Sequence, residues 1–505
     1  MKSLISTFFK RTKKSTDDDF TRAYTDFLNT YPVYKSTAHL DALREREFAR
    51  LDEQGHTYLD FTGAGLYTQQ QVTQHTSQLK QHVFGNPHSS NPTSNHSTAI
   101  TESARDYVLH YLNTSREEYI CIFTQNASGA LKLLGESYPF GNGDHLLLTF
   151  DNHNSVNGIR EFARRKGAGF TYSPLQKADL RINPEKLREN LAQPVAGQNK
   201  LFGFPAQSNV SGVKHDLAWI TTAQQQGWDV LLDAAAFVPA DRLDLSRHKP
   251  DFVSLSFYKI VGYPTGLGCL LVRRKAFEKL RRPWFAGGTI TIVSVQGDGY
   301  YHDQDHARFE DGTINFLGIP AIETGLRHIR TIGIDSIRKR IECLTGWTLG
   351  QLHQLRHSNG QPLVKVYGPQ DTHKRGGTIA LNFFDETGYM YDFTQIEKLA
   401  NAWNISLRTG CFCNPGIDET NHALEEEELK QYFSKEGAKD YFDLMNTIGK
   451  RRGAVRISFG YVSTFADAYR FIQFTKELLN KRQLRPRLDY AYSTPAGSEG
   501  RQVAN

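Results

Sequence analysis

Between residues 119 and 272 the chain alternates two kinds of segment. Short apolar runs cover 119–123, 145–150, 200–204, 230–232, 252–257 and 268–272. Between several of them lie stretches with helical character, at 130–137, 157–166 and 218–225. Apolar runs this short and unbroken predict strands covered on both faces. Their alternation with helices predicts a largely parallel α/β sheet with helices on both sides. Ligands of such sheets bind beyond the carboxyl ends of the strands.

After about residue 330 the pattern changes. A helix at 333–357 leads to strands at 363–367 and 377–384, a helix at 391–403 and a strand at 405–408. This predicts a second, smaller α+β domain. The stretch 424–433 carries four consecutive glutamates and reads as a solvated helix face. The tail beyond residue 482 is polar, with prolines and glycines, and reads as mobile. The predicted organisation is an N-terminal arm (1–50), a large domain (51–330), a small domain (331–480) and a flexible tail (481–505). No internal repeat is visible.

Two strand ends carry chemistry. Lys259 follows the run 252–257 and is itself followed by a glycine-rich loop, Gly262-Tyr-Pro-Thr-Gly-Leu-Gly268. Lysine is seldom buried without a partner. Delivered from a strand end beside other charge, its amine can lose a proton and attack a carbonyl. The commonest reason for that arrangement is a Schiff base with pyridoxal phosphate; the competing reading is a surface lysine before a hairpin. Asp233 ends the run 230–232, 26 residues before Lys259. A pyridoxal enzyme needs a carboxylate there to keep the pyridine nitrogen protonated. By itself such an aspartate is as readily a helix cap.

Other strand ends offer compatible groups. Thr124-Gln-Asn-Ala-Ser-Gly-Ala-Leu opens a helix after a strand, which suits a phosphate, with Ser128 and Gly129 as contacts. Ser256 and Tyr258, beside the lysine, are further phosphate donors. His153 follows the run ending at 150 and can stack on a cofactor ring, although one of 18 histidines is more often structural. Asn209 follows another strand end and can donate to a ring hydroxyl.

The second distinctive segment is Arg408-Thr-Gly-Cys-Phe-Cys-Asn-Pro-Gly. Cys411 and Cys413 lack the second ligand pair that zinc requires, and a redox pair is usually spaced Cys-x-x-Cys. A loop thiolate near cations is a good nucleophile. Arg456 lies in a strand-like run, where arginine needs an anion; a substrate carboxylate held bidentately would serve. Arg408 is a second such candidate. No metal is expected.

Composition adds exclusions. At 505 residues, with 23% charged residues, the chain is that of an ordinary globular protein. A net charge of +6 gives no reason to expect nucleic acid or an anionic membrane as partner. No apolar run approaches the roughly 20 residues that span a bilayer. The basic stretch 1–14 is short and broken, and reads as a flexible arm or short helix rather than a signal peptide. Five cysteines are too few for a disulfide framework, which points to a reducing, cytoplasmic compartment.

With these residues in view, the chain resembles the class V aminotransferase group of fold type I pyridoxal enzymes, and within it the cysteine desulfurases. It is most similar to the N-terminal domain of molybdenum cofactor sulfurases. The resemblance spans about 59–464 and rests on five motifs. These are Asn86-Pro-His-Ser, Asp233-Ala-Ala, Ser256-Phe-Tyr-Lys-Ile-Val-Gly-Tyr-Pro-Thr-Gly, Phe309-Glu-Asp-Gly-Thr, and Arg408-Thr-Gly-Cys-Phe-Cys-Asn-Pro-Gly. It implies that Lys259 holds pyridoxal phosphate and moves the proton, that Asp233 pairs with the ring nitrogen, and that His153 stacks. Cys413 matches the persulfide-forming cysteine, and Arg456 the carboxylate-binding arginine. Thr313 matches a residue that reaches the phosphate of a neighbouring subunit, implying a homodimer. The substrate implied is L-cysteine, and the sulfur acceptor a protein or molybdenum cofactor.

There are departures. Ala236 stands where many desulfurases have glutamine, Tyr258 where histidine usually precedes the lysine, and Ile417-Asp-Glu-Thr lacks a further cysteine common in the sulfurase branch. The stretch after Asn480 is shorter than the C-terminal domain of full-length sulfurases, which leaves the acceptor open. Two other readings remain. One is another class V reaction (epimerase, C–S lyase or aminotransferase) without a cysteine nucleophile; the other is a scaffold without turnover, against which intact Lys259 and Asp233 argue.

Overall fold

A computed structural model describes residues 15–434 and 441–482. The stretch 1–14 and nearly all of the tail expected to be flexible lie outside the described residues.

The large sheet has seven strands. In chain order they are β1 (Tyr119–Thr124), β2 (His145–Thr149), β3 (Gly169–Ser173), β4 (Lys200–Pro205), β5 (Asp229–Asp233), β6 (Phe252–Ser256) and β7 (Gly268–Arg273). Their spatial order is β1-β7-β6-β5-β4-β2-β3. β2 to β6 pair in parallel, and β7 runs antiparallel to both β1 and β6. Alternate residues of the strands other than β3 fall into different hydrophobic clusters. Leu147, Phe202, Phe204, Val230, Leu232, Val253 and Leu255 share one; Leu146, Leu148, Leu201, Leu231, Phe252 and Leu270 share the other. Both faces are therefore buried, which is why these strands read as unbroken apolar runs.

Six of the seven strands follow the sequence pattern. β3 does not: Gly-Phe-Thr-Tyr-Ser is half polar because β3 is an edge strand, and only its last residue is buried.

The small domain is built on a four-stranded antiparallel sheet of β8 (Val364–Tyr367), β9 (Thr378–Phe383), β10 (Arg408–Gly410) and β11 (Ala454–Ser458), in the order β8-β9-β11-β10. Helices Ile334–Gln354 and Phe465–Lys476 pack with it. The expected strand at 405–408 divides: Ile405–Ser406 pairs in parallel with Thr57–Tyr58, and β10 begins at Arg408.

The N-terminal stretch corrects the sequence reading. Residues expected as an arm form helices Ser15–Thr30 and His39–Glu47, joined by a short 3-10 turn, and pack into the small domain. Phe27 is fully buried, its ring 4.7 Å from that of Phe465. Arg44 reaches the buried Asp467 at 2.6 Å, and the fully buried Arg340 reaches Asp41 at 2.7 Å. The signal was present in the helical spacing of Phe20, Tyr24, Phe27 and Tyr31, an apolar stripe. Phe27→Ala is expected to cost about 3–5 kcal/mol of stability through the cavity it leaves. Denaturant unfolding measures this, and a loss below about 1 kcal/mol would show the N-terminal helices to be dispensable.

Candidate active site

β6 ends at Ser256, and a single helical turn, Phe257–Val261, carries Lys259 just beyond it. Gly262 closes the turn at φ 74°, where a side chain would also collide with the backbone of Leu66 and Tyr67. Among the described residues the Lys259 amine has no hydrogen bond or ion pair. Burial pushes it below the usual lysine range; Asp233 opposes that shift, while Arg456 and Arg408 add to it.

Asp233 ends β5 and is held from one side. Its Oδ1 accepts from Ser254 Oγ at 2.9 Å and from the Ala235 N–H at 3.1 Å. Its Oδ2 accepts nothing among the described residues. His153 caps the short helix Asn154–Asn157, its Nδ1 accepting from the Ser155 N–H at 3.1 Å. That bond requires a bare Nδ1, so the proton sits on Nε2 and the ring is neutral. Burial, the largest influence, also lowers its pKa, with Asp233 opposing and Lys259 adding. Lys259, Asp233 and His153 thus come together.

The phosphate-side expectations are met only in part. Helix Ala127–Ser137 does start at a strand end, but two of its first N–H groups are used within the chain. Asn126 Oδ1 takes that of Gly129 at 2.9 Å, and Ser256 Oγ takes that of Ala127 at 2.9 Å. Ser128 Oγ shares a hydrogen bond with Ser155 Oγ at 2.6 Å. The hydroxyls of Ser128 and Ser256, rather than the Gly129 amide, are the groups left for an anion. Tyr258 is half-buried, which raises its phenol's pKa, and its phenol also feels Arg408 and Asp60. Thr313 is exposed, accepts from Asn86 Nδ2 at 3.2 Å, and lines with Gly129 and Lys132 a cavity of about 370 Å³.

Cys411 to Asn414 form a tight loop in which Phe412 and Cys413 have φ of 56° and 53°, strained for residues with side chains. The loop is clamped by neighbours. The Cys413 carbonyl accepts from the Asn154 N–H at 2.7 Å. Phe412 is buried under Arg456, the guanidinium 5.1 Å from the ring. The fully buried Asn414 donates from Nδ2 to the Asp151 carbonyl at 2.7 Å and to Asn209 Oδ1 at 2.9 Å. Pro415 then starts a helix, and a side chain on Gly416 would collide with the Phe150 carbonyl. The Asn-Pro-Gly sequence is therefore a docking element: a hub, a helix start and a close approach. Held this way, the Cys413 side chain is exposed, whereas burial pushes the Cys411 thiol up.

Asn209 and Arg456 take different partners from those expected. One hydrogen of the Asn209 Nδ2 goes to the Phe412 carbonyl at 2.9 Å, so the residue anchors the cysteine loop and keeps a second donor hydrogen for a ring hydroxyl. Arg456 is buried and already has its anion, Asp60, at 2.7 Å, with the Asn209 carbonyl at 3.0 Å. Asp60 also holds Arg408 at 2.8 Å, which leaves the Arg408 side chain half exposed. β10 and β11 place Arg408 directly opposite Arg456, and one carboxylate from the N-terminal side bridges the pair and leaves it net positive.

Sequence reasoning missed Asp60, Ser254, Gln207 and Asn414. Gln207 donates to the Ala236 carbonyl at 3.0 Å, while its buried Oε1 has no partner among the described residues. It lines a small pocket with Lys259, Ala235 and Ala236, so a glutamine from a different strand end stands beside the alanine that marked a departure. A buried orphan carbonyl, a half-satisfied carboxylate and an unpartnered lysine together fit pyridoxal phosphate: an aldehyde for the amine and a pyridine nitrogen for Asp233. Removing the hub by Asn414→Ala should cost about 1–3 kcal/mol locally. Hydrogen exchange at residues 411–417 should then quicken about tenfold or more; unchanged exchange would refute the clamp.

A sheet of this order with such a lysine beyond a strand end defines a fold type I pyridoxal-phosphate enzyme. The aminotransferase class-V profile matches residues 57–471, and the chain belongs to that family. It is 38% identical over 467 residues to the molybdenum cofactor sulfurase of Bos taurus, covering 88% of this chain and 52% of the relative. The sulfurase of Arabidopsis thaliana is 35% identical over 490 residues, covering 89% of this chain and 59% of the relative. The chain spans about half the length of the curated relatives it matches. Among solved structures, the apo cysteine desulfurase of Thermococcus onnurineus aligns with a TM-score of 0.71 at 23% identity, over 86% of this chain and 97% of that one. A cysteine desulfurase of Escherichia coli aligns with a TM-score of 0.66 at 21% identity, over 87% and 99%. These two likenesses are of fold.

Proposed function

We propose that the protein is a cysteine desulfurase of the molybdenum cofactor sulfurase kind, which moves sulfur from L-cysteine onto Cys413 and on to an acceptor. The observation that carries this reading is the exposed Cys413 on a clamped, strained loop next to the cationic pair Arg408 and Arg456. Pyridoxal phosphate, bound through Lys259, supplies the electron sink that acidifies the α-carbon of the amino acid. Asp233, with its open Oδ2, would hold the ring nitrogen protonated, and neutral His153 would lie against the ring. Lys259 Nζ takes the α-proton, a task suited to an amine whose pKa burial lowers. The Cys413 thiolate attacks the substrate sulfur: an S–S bond forms, the Cβ–S bond breaks, and its electron pair stays with carbon to be protonated. L-Cysteine and a thiol thus become alanine and a Cys413 persulfide.

Arg408, with its exposed face, is the cation available to the substrate carboxylate; Arg456 supports it through Asp60. The names of the sulfurase relatives support molybdenum cofactor as the acceptor, with a protein acceptor as the other choice. A homodimer is supported by Trp284, Ile292, Val295 and Tyr301, all exposed on or beside the hairpin Ile290–Val293/Tyr300–His302; in it Thr313 would be the residue to reach the partner's phosphate. A cytoplasmic location is supported by five free cysteines.

The test is to add L-cysteine to pure holoenzyme and quantify alanine together with protein persulfide. Alanine with a persulfide on Cys413 is expected. A bound cofactor without alanine would move the assignment to another class V reaction.

A further inference from the structure

Away from the cysteine loop, two chain segments bring basic residues together. Val213 pairs with Arg375 in an isolated antiparallel bridge, the Lys214 N–H donates to the Lys374 carbonyl at 2.9 Å, and the Gly376 N–H donates to the Gly212 carbonyl at 2.8 Å. This short ribbon sets Lys214-His215 beside His373-Lys374-Arg375. It borders two adjoining cavities of about 510 and 360 Å³, which share Lys214, His215, Asp216 and Lys374 as walls. Both are of the size that takes a small ligand.

Arg375 is the unusual member. It is only 5% exposed, it lines the larger cavity, and no carboxylate bonds it among the described residues. Its guanidinium meets only the carbonyls of Pro369 and Thr378, and its Nε has no partner among the described residues. A buried cation without an anion is costly. Burial, the chief cause, pushes this arginine down to about 9. Lys374 sits at φ 46°, strained for a side-chain residue, and that conformation recurs at ligand sites. Around the two cavities six Lys and Arg face three carboxylates. Two of those carboxylates are tied to lysines, Asp241 to Lys214 at 2.7 Å and Asp216 to Lys374 at 3.0 Å. The second pair is half exposed, and such pairs are weak and exchangeable. The smaller cavity differs in character: Ile182, Pro184 and Trp219 wall it, with Arg188 over the indole at 5.5 Å.

We propose that this ribbon and its two cavities form a phosphoryl-binding site, with the phosphoryl group beside Arg375 and Lys374 and room for an organic body against Trp219. Phosphate suits several guanidinium and ammonium donors converging from different directions. The site is separate from the one that would take the cofactor phosphate at helix Ala127–Ser137, and it shares Ala240 and Ile341 with the pocket floor beneath Lys259.

The holoenzyme is titrated calorimetrically with inorganic phosphate and with phenyl phosphate at constant ionic strength. Saturable binding of one ligand per chain is expected. Lys374→Glu should weaken it at least tenfold with the cofactor absorbance unchanged. Lys80→Glu, reversing an exposed lysine on the helix Gln69–Gln81, which lines neither cavity, should leave it unchanged. Tighter binding of phenyl phosphate would identify an organic phosphate as the ligand, and equal binding a free phosphate. No saturable heat, undiminished affinity in Lys374→Glu, or equal weakening in both variants would overturn the proposal.

Discussion

Lys259→Ala should remove the visible absorbance of lysine-bound cofactor and lower desulfuration of L-cysteine by about 10³–10⁴-fold, the upper part of the range for losing a positioned acid–base group. The expectation rests on geometry: the amine lies one turn beyond β6, partly buried and without a hydrogen bond among the described residues, and Asp233 and Asp60 are the carboxylates that act on it. Parent and variant should both fold as apoproteins, whereas the holo form's unfolding midpoint should fall in the variant, because a ligand that binds only the folded state stabilises it. Absorbance, turnover and thermal unfolding are measured together. Turnover within tenfold of the parent, with cofactor still bound, would disprove the assignment.

Cys413→Ser should abolish the protein persulfide and lower sulfur release by at least about 10²-fold, whereas Cys411→Ser should change it by no more than a few-fold. The two thiols are two residues apart in one loop and differ in surroundings. Cys413 is turned outward by a backbone that Asn154, Asn209 and Asp151 hold through their hydrogen bonds to the loop. Cys411 is half buried and its thiol is pushed up, so it stays protonated. Selective alkylation followed by mass spectrometry locates the persulfide. A persulfide on Cys411, or full sulfur release without Cys413, would reverse the assignment.

What the sequence made legible follows from what the physics makes local. A strand buried on both faces must be apolar at every position, and the residue that follows it must be at the carboxyl edge. Lys259, Asp233 and His153 were therefore readable. The half-polar edge strand β3 broke that rule and was missed. Arg456 was read correctly as needing an anion, but the anion is Asp60, 396 residues away, and no local pattern announces such a partner. Asn209 is similar: its place at a strand end was clear, but its role depends on a loop about 200 residues on. Gln207 carried a faint signal, a glutamine at a strand end two residues before Asn209, in a chain whose Ala236 lacks the usual glutamine. The N-terminal helices are written in the spacing of Phe20, Tyr24 and Phe27, but the surface that covers that stripe, around Phe465 and Asp467, lies more than 400 residues on.

The contact of Phe27 with Phe465 sets a timetable for synthesis. The aromatic face of the first helix leaves the ribosome early, and its covering surface is translated more than 400 residues later. At roughly 5–20 residues per second that delay is about 20–90 s. Throughout it the face is a sticky amphipathic helix, a natural client for a nascent-chain chaperone. The clasp between Phe27 and Phe465 can close only after both segments have been made.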